Sequence, residues 1–514
     1  MLKVGLSTEP TTLDPHYQNL IPNNQITGHI FETLIGTAAN GSFRPKLAQS
    51  WRMVDENTWE FTLRKNVKFH NGSPFTANSV LFSFCRIPTL LGTPSPFTIY
   101  TKAIKEITAP DPYTVIMKTK MPHPLLPNEL TTIQIVSDSL IGAEKVAFVE
   151  SGCKINAAIP TKADFDGGKA AIGTGPFKYA EFVKGDHILF KRNDDYWGAK
   201  PQWASVRFRP LKDQGARVAG LLSGEIDFIE NPPIEDMLRI LTNPKFNVEM
   251  EMSSRVIYIA LDQRSDTTVP PDVKGTNGKN PFRDVRVRKA LSLAIDRYKL
   301  TLRVMSSFAK PAEQLLARNF FGADPSLPAL AYAPEKAKQL LAEAGYPNGF
   351  ELTLATPNDR YMNDAQIAQA IAQMWAKIGV KTKVEAMTAS TFFAKRTKNE
   401  FGAWLGGWGA QTNEMSSPLR ALVATPNKEK GWGAANSAQF SDKAIDALIE
   451  QALLTVDNSK RRNLLREASK LTMEKMAVLP IHYEVTPWIM KADLRYKARV
   501  DQFTNAFEII SAKP

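Results

Sequence analysis

The sequence predicts an α/β protein of two lobes joined by a hinge, and three observations predict it. The chain has 514 residues, more than one hydrophobic core accommodates, so two or three domains are expected. From about residue 351, strand-like and helix-like stretches alternate in units that imply a parallel sheet with right-handed crossovers. After two long helices the tail returns to strand-like alternation in "AVLPIHYEVTPWIM". Roughly 35 terminal residues are too few for a core of their own. They are expected to pack back on the first lobe, so the chain crosses between lobes near 256–264 and again near 478–484. Two such crossings of irregular chain make a hinge.

Taken in order, residues 3–7 read as a short strand, and "TWEFTLRKNVKFHNGSPF" reads as two strands around a turn. "ANSVLFSFCRI" suggests a buried helix carrying Cys85. In "GPFKYAEFVKGDHILFKRNDDYWG", alternation through Phe177, Tyr179 and Phe182, then a turn at Lys184-Gly185-Asp186, predicts a hairpin whose second strand begins at His187. "ASVRFRPL" alternates like a further strand, and "GARVAGLL" followed by "GEIDFIE" reads as helix then strand. "VIYIALD" is a short apolar run; beyond the polar loop 265–280, one helix is expected with Val287, Leu291, Ala294, Ile295 and Tyr298 on one face. "PEKAKQLLAEAG" carries Pro334 in its first turn and Gly345 just past its end, start and stop signals of fixed φ and left-handed tolerance. "ELTLAT", a helix over 364–378 striped by Ile367, Ile371, Met374, Trp375 and Ile378, and "VKTKVEAM" then form a strand, helix, strand unit. "FGAWLGGW" behaves as another strand, followed by helices near 442–456 and 459–474.

Composition narrows the function. Sixty-four Lys and Arg against 52 Asp and Glu give a net charge of +12, which raises nucleic acid or an anionic surface as a partner. The distribution favours a solvated surface instead: the densest cluster, "RDVRVRK" at 283–289, opens an amphipathic helix, and elsewhere bases mix with acids. No run approaches the length of a membrane span, and "MLKVGLSTEP" lacks the regions of a signal peptide, so a soluble chain beginning after a removed leader is expected. Cys85 and Cys153 are too far apart for a CxxC motif; a single disulfide and two buried thiols are both open readings. The six histidines (16, 29, 70, 123, 187 and 482) show no metal-cage spacing, and phosphate-loop, nucleophile-elbow and dinucleotide fingerprints are missing. The enzyme reading is lowered accordingly.

One stretch stands apart. "GGWGAQTNEMSSP" at 406–418 sets Trp408 between glycines and leaves Glu414 as its only charge. Flanking glycines allow close approaches that a Cβ forbids, so the stretch is either a ligand surface of main chain and indole or a tight loop with a packed tryptophan. Trp408 to Asn413 is expected just beyond the carboxyl end of a strand, where open α/β sheets place ligands.

The ordered set "STEPTTLDP" (7–15), "LAQSW" (47–51), "FTLRKNVKFHNGSPFTANSV" (61–80), "GTGPFK" with "RNDDYWG" (173–198), "RDVRVRKALSLAIDR" (283–297), "EKAKQLLAEAGYPNGFELTL" (335–354) and "ALIEQA" (447–452) resembles the bacterial extracellular solute-binding proteins of family 5. That group includes dipeptide-, oligopeptide-, glutathione- and nickel-binding components of ATP-binding-cassette importers. The resemblance implies a type II periplasmic-binding-protein fold. The larger lobe would be 1–258 plus 482–514, with an extra subdomain near 35–170, and the second lobe 259–481. It also implies a periplasmic monomer, lipid-anchored or free, that takes no cofactor. Such a protein encloses a peptide-like ligand by hinge closure and docks on an inner-membrane permease.

In peptide-binding relatives the loop matching 406–414 supplies an aspartate for the ligand's α-amino group, flanked by the indole and by backbone. Here the matching position is Gln411, among Trp408, Gly409, Ala410 and Thr412. A neutral amide cannot neutralise an enclosed ammonium, whose burial unpaired costs several kcal/mol, so a simple dipeptide held in the usual way is disfavoured. Glu414 substitutes if the loop register differs. Arg360 in "TPNDRYMND" matches a carboxylate-pairing arginine, a task its rigid fork suits; a loop-bridging arginine is the alternative. Asn436 in "GAANSAQF" matches a loop near the ligand, and Tyr17 and Asn19 would line the first-lobe side; ordinary turn and surface roles stand beside these.

The reading is therefore reversible capture of a peptide or peptide-like solute. Within the family, glutathione, an opine, haem, a metal chelate or a sugar is the alternative cargo. Outside it, a hydrolytic enzyme on a two-lobed scaffold would need convergent acid, base or nucleophile. A nucleic-acid binder would need a basic stripe with stacking aromatics.

Overall fold

The computed structural model describes residues 1–93, 97–264, 269–270, 272–276 and 278–512. Part of the polar loop 265–280 expected from sequence, residues 265–268, 271 and 277, thus lies outside the described residues. The chain divides into two compact units, Met1–Glu251 with Thr486–Pro514, and Met252–Val485. The strands Phe246–Leu261 and Leu479–Lys491 each continue from one unit into the other. Among the described residues no helix is long and apolar enough to cross a membrane.

In the first unit, Leu2–Leu6 lies parallel to Ser205–Pro210 and to Phe228–Glu230. The hairpin Phe177–Val183 and His187–Arg192 extends this sheet through Ile188 opposite Phe208, with a bulge between Tyr179 and Glu181. On the other edge the returning tail pairs antiparallel, Glu230 opposite Trp488. Inward phenylalanines of these strands collect around His29, whose ring lies 4.9 Å from Phe208 and 5.3 Å from Phe507. Burial lowers the His29 pKa to about 4, and the neutral ring is fully used: Nδ1 bonds Gln25 O at 2.9 Å and Nε2 accepts from Ala506 N at 2.9 Å. A separate four-stranded antiparallel sheet, Ala48–Asp55, Thr58–Leu63, Thr114–Thr119 and Ile104–Asp111, stands beside the helix Ala77–Arg86. Cys85 at the end of that helix is disulfide-bonded to Cys153, with their Cα atoms 5.0 Å apart. The stretch after Thr58–Leu63 forms only an isolated bridge, Lys68 with Pro74, in place of the second strand expected there.

In the second unit the alternating units form a parallel pair. Glu351–Pro357 pairs in register with Lys381–Met387, connected by the helix Asp364–Ala376. Ile367, Ile371 and Trp375 bury one stripe of that helix, and Trp375 Nε1 donates to Leu291 O at 2.9 Å. Ala403–Gly409 adds in parallel to Glu351–Pro357 and runs antiparallel to residues 255–261, Arg255 opposite Gly409 and Leu261 opposite Ala403. The single helix expected to reach Tyr298 is two helices, Val285–Leu293 and Arg297–Arg303. Asp296 breaks it by accepting from Lys299 N at 2.9 Å as an N-cap. Arg297 turns inward to Pro480 O at 2.7 Å, and Tyr298 is 70% exposed, not on the buried face. The helices Lys443–Leu454 and Asn458–Glu474 pack on each other, capped by Asp442 and Asp457.

Candidate ligand-binding site

The parallel strands Glu351–Pro357 and Ala403–Gly409 end on one side of the second unit's sheet, and the predicted residues there follow from how each strand stops. Beyond Pro357 the chain folds over the buried carboxylate of Asp364, which accepts from Arg360 N at 3.1 Å and Tyr361 N at 3.0 Å. Burial pushes the Asp364 carboxyl up to about 6, against the pull of those bonds. This clamp leaves the Arg360 side chain exposed, its guanidinium 5.2 Å from the Tyr361 ring centroid.

The glycines of the neighbouring strand make room for rings. A Cβ on Gly407 would sit 2.6 Å from the Tyr361 ring, whose hydroxyl donates to Gly407 O at 3.3 Å. Trp408 and Gly409 are the last two residues of the strand itself, not of a loop beyond it, with Trp408 opposite Val256. The half-buried indole donates to Ser417 Oγ at 3.1 Å. Opposite Gly409, the guanidinium of Arg255 lies so close that a Cβ would come within 3.2 Å of Nη2. Arg255 Nε is 3.1 Å from Glu484 Oε2, both side chains nearly buried. Burial first, and then the neighbouring charge of Arg360, lowers the Arg255 pKa.

Past Gly409 the chain makes a tight turn, with Ala410 N bonded to Ser254 O at 3.1 Å and Asn413 N to Ala410 O at 2.8 Å. Gln411 and Thr412 are half-buried in that turn, and Asn413 adopts φ 53°. The turn is pinned by Glu414. Its oxygens both lie 2.7 Å from Arg461 Nη1, and Ser416 Oγ donates to it at 2.7 Å. Glu414 is 2% exposed, and its carboxylate is already taken up by Arg461 and Ser416 in anchoring the turn.

Asn436 is likewise engaged within its own loop. It is buried, its Nδ2 donates to Ala424 O at 3.0 Å and Phe440 O at 2.8 Å, and its Oδ1 accepts from Phe440 N at 3.2 Å. Its amide holds the loop together. Tyr17 and Asn19 belong to the first unit. Asn19 Oδ1 accepts from Asn24 Nδ2 at 2.8 Å and its Nδ2 donates to the Tyr100 hydroxyl at 3.1 Å, while Lys162 Nζ stands 5.9 Å from the Tyr17 ring centroid. The preceding "LDPH" is a structural knot: Asp14 takes both Nη atoms of Arg86, at 2.8 and 2.6 Å, with every side chain of the pair buried.

Arg360, Trp408, Gly409, Ala410, Gln411 and Thr412 thus gather at one end of one sheet. Sequence reasoning missed Arg255, Tyr361 and Glu484 beside them. An arginine and a glutamate in apolar strands, "SSRVIYIA" and "PIHYEVTPW", were the available signal, since charges in buried strands require a partner. Among the described residues no group of His, Cys, Asp and Glu is arranged to hold a metal ion.

The family model of the bacterial extracellular solute-binding proteins, family 5 Middle, matches residues 42–430, and the chain belongs to the family 5 bacterial extracellular solute-binding proteins. Heme-binding protein A of Haemophilus influenzae is 27% identical over 474 residues, covering 86% of this chain and 79% of the relative. Glutathione-binding protein GsiB of Escherichia coli (strain K12) is 27% identical over 492 residues, covering 94% and 88%. The periplasmic binding protein DppA of Helicobacter pylori, solved with the peptide STSA, superposes with a TM-score of 0.81 at 22% identity, covering 100% of this chain and 98% of that one. The oligopeptide-binding protein AppA of Bacillus subtilis, solved with a nonapeptide, gives 0.77 at 22% identity, covering 100% and 99%. The fold is that of the two-lobed type II periplasmic binding proteins. The chain is a bacterial extracellular solute-binding protein.

Proposed function

We propose that the protein captures a peptide-like solute bearing a carboxylate, in the periplasm, and hands it to the permease of an importer without chemical change. The charge pattern at the sheet end carries this reading. Arg360 is exposed and makes no ion pair among the described residues, its charge acts on the neighbouring Arg255, and the acid nearest the turn, Glu414, is held by Arg461. The site therefore attracts a carboxylate and offers Gln411, a neutral amide, where an ammonium would need an anion. Trp408 and the main chain of 409–412 supply packing and hydrogen bonds in a partly desolvated setting. The chain passages at 251–252 and 485–486 serve as the hinge.

A non-peptide anion of the same shape is the second reading, favoured by the missing acid at 411. Native mass spectrometry of the protein purified from cells, followed by denaturation and identification of what is released, separates the two. Released short peptides with free amines would overturn the role given to Gln411. Turnover of any bound peptide would overturn the binding-only reading.

A further inference from the structure

A cavity of about 350 Å³ is lined wholly by residues of the first unit, none of them among those assigned to the ligand above. Its walls join two stretches that the solute-binding role leaves unused, the "FRPK" strand end and "RNDDYWG", and include Arg44, Lys46, Arg64, Trp197, Phe507 and Glu508. The floor is built on Glu32, a fully buried carboxylate. Trp197 Nε1 donates to it at 2.7 Å, the Tyr196 hydroxyl at 2.8 Å and Thr174 Oγ1 at 2.9 Å, with Lys46 Nζ at 3.9 Å. The aromatic wall is therefore fixed before any ligand arrives.

The charges on that wall do not balance. Lys46 has Glu32, and Arg44 has Glu508 at 3.1 Å, which also takes Arg499 at 3.0 Å. Arg64 has no carboxylate within ion-pair distance among the described residues. Its Nε donates to Lys46 O and its guanidinium lies 4.5 Å from the Trp197 ring centroid. Those two contacts orient the fork while leaving both Nη atoms without a hydrogen-bond partner among the described residues. A fixed, half-buried guanidinium, with a second one lining the same concavity beside an apolar side, suits an oxyanion.

We propose that this cavity is a second binding site, for a small organic anion whose carboxylate or phosphate group is held by Arg64 and Arg44 and whose apolar part lies against Phe507. The site shares no lining residue with the one proposed for the importer's cargo.

Isothermal titration of the full chain with inorganic phosphate, phenyl phosphate and benzoate tests it, with Arg64→Gln, Arg44→Gln and Arg360→Ala variants. Saturable binding of phenyl phosphate or benzoate is expected, weakened roughly tenfold or more in Arg64→Gln, as for loss of one charge-assisted bond. Arg44, exposed on the rim, is the variant that carries the test if Arg64→Gln fails to fold, and a weakening of several-fold is expected there. Stronger binding of phosphate than benzoate assigns the phosphate source, and the reverse assigns the carboxylate. Absence of saturable heat with all three probes, equal affinity in wild type and the folded cavity variants, or loss confined to Arg360→Ala would overturn the proposal.

Discussion

Glu414 and Arg461 are locked together, with both carboxylate oxygens 2.7 Å from one guanidinium nitrogen and side-chain exposures of 2% and 6%. The ion pair ties the turn at the end of Ala403–Gly409 to the helix Asn458–Glu474. Removing one partner strands the other charge, so Glu414→Ala should lower stability by about 3–5 kcal/mol. A double variant, Glu414→Leu with Arg461→Met, should recover most of that loss. Urea denaturation of the wild type and both variants measures it, and equal losses in the single and double variants would count against the anchoring role.

Arg360 makes the opposite prediction. It is exposed, and among the described residues its guanidinium makes no ion pair, so Arg360→Ala should leave the denaturation midpoint nearly unchanged. Affinity for a carboxylate ligand should fall by about 1.5–3 kcal/mol, roughly ten- to a hundredfold. Arg360→Lys should recover only part, since a point charge lacks the bidentate fork. Unaltered affinity in Arg360→Ala would remove the residue from the site.

Gln411→Asp should restore the missing anion. Titration with a dipeptide and its N-acetylated form should show the variant gaining affinity for the free amine and losing it for the acetylated ligand. A variant that treats both ligands as the wild type does would show that residue 411 does not meet the ligand's amino end.

Asp364 gives a pH dependence with a defined sign. Its folded pKa, about 6, is raised above the ordinary carboxyl value of 3.8. Between those values the folded state holds the proton more tightly than the unfolded state. The group's contribution therefore falls as pH rises from about 4 to 6, by up to about 3 kcal/mol. Relative to Asp364→Asn, the wild type should lose stability on going from pH 4 to pH 7. A stability difference constant across that window would argue against a buried, proton-holding carboxylate.

Periodicity made the second unit's strand, helix, strand core legible, because a half-buried helix must place Ile367, Ile371 and Trp375 on one side whatever surrounds it. Local pattern was a poorer guide where one side chain outweighed it. Asp296 ended a helix whose apolar spacing continued, and ten polar or half-exposed residues before "VIYIALD" joined its strand, which begins at Phe246. At the site, the glycines around Trp408 announced a close approach, and Tyr361 proves to be what approaches Gly407. Arg255 signalled its need for a partner by standing in an apolar strand, but its place in the cluster depends on the antiparallel register that sets it opposite Gly409.

By itself the sequence determined the α/β class, the order of most elements, the returning tail and the family, because these rest on periodicity, turn chemistry and a long ordered set of motifs. Only the tertiary structure decided which polar residues are available. Gln411, Glu414 and Asn436 look alike as polar residues in glycine-bearing loops. Packing buries Glu414 against Arg461 and Asn436 against three backbone groups, and leaves Arg360 in solvent. The physical reason is that a polar side chain's role is set by whether a partner from a distant segment desolvates and satisfies it, and that partner is fixed by the fold and not by neighbours in the chain.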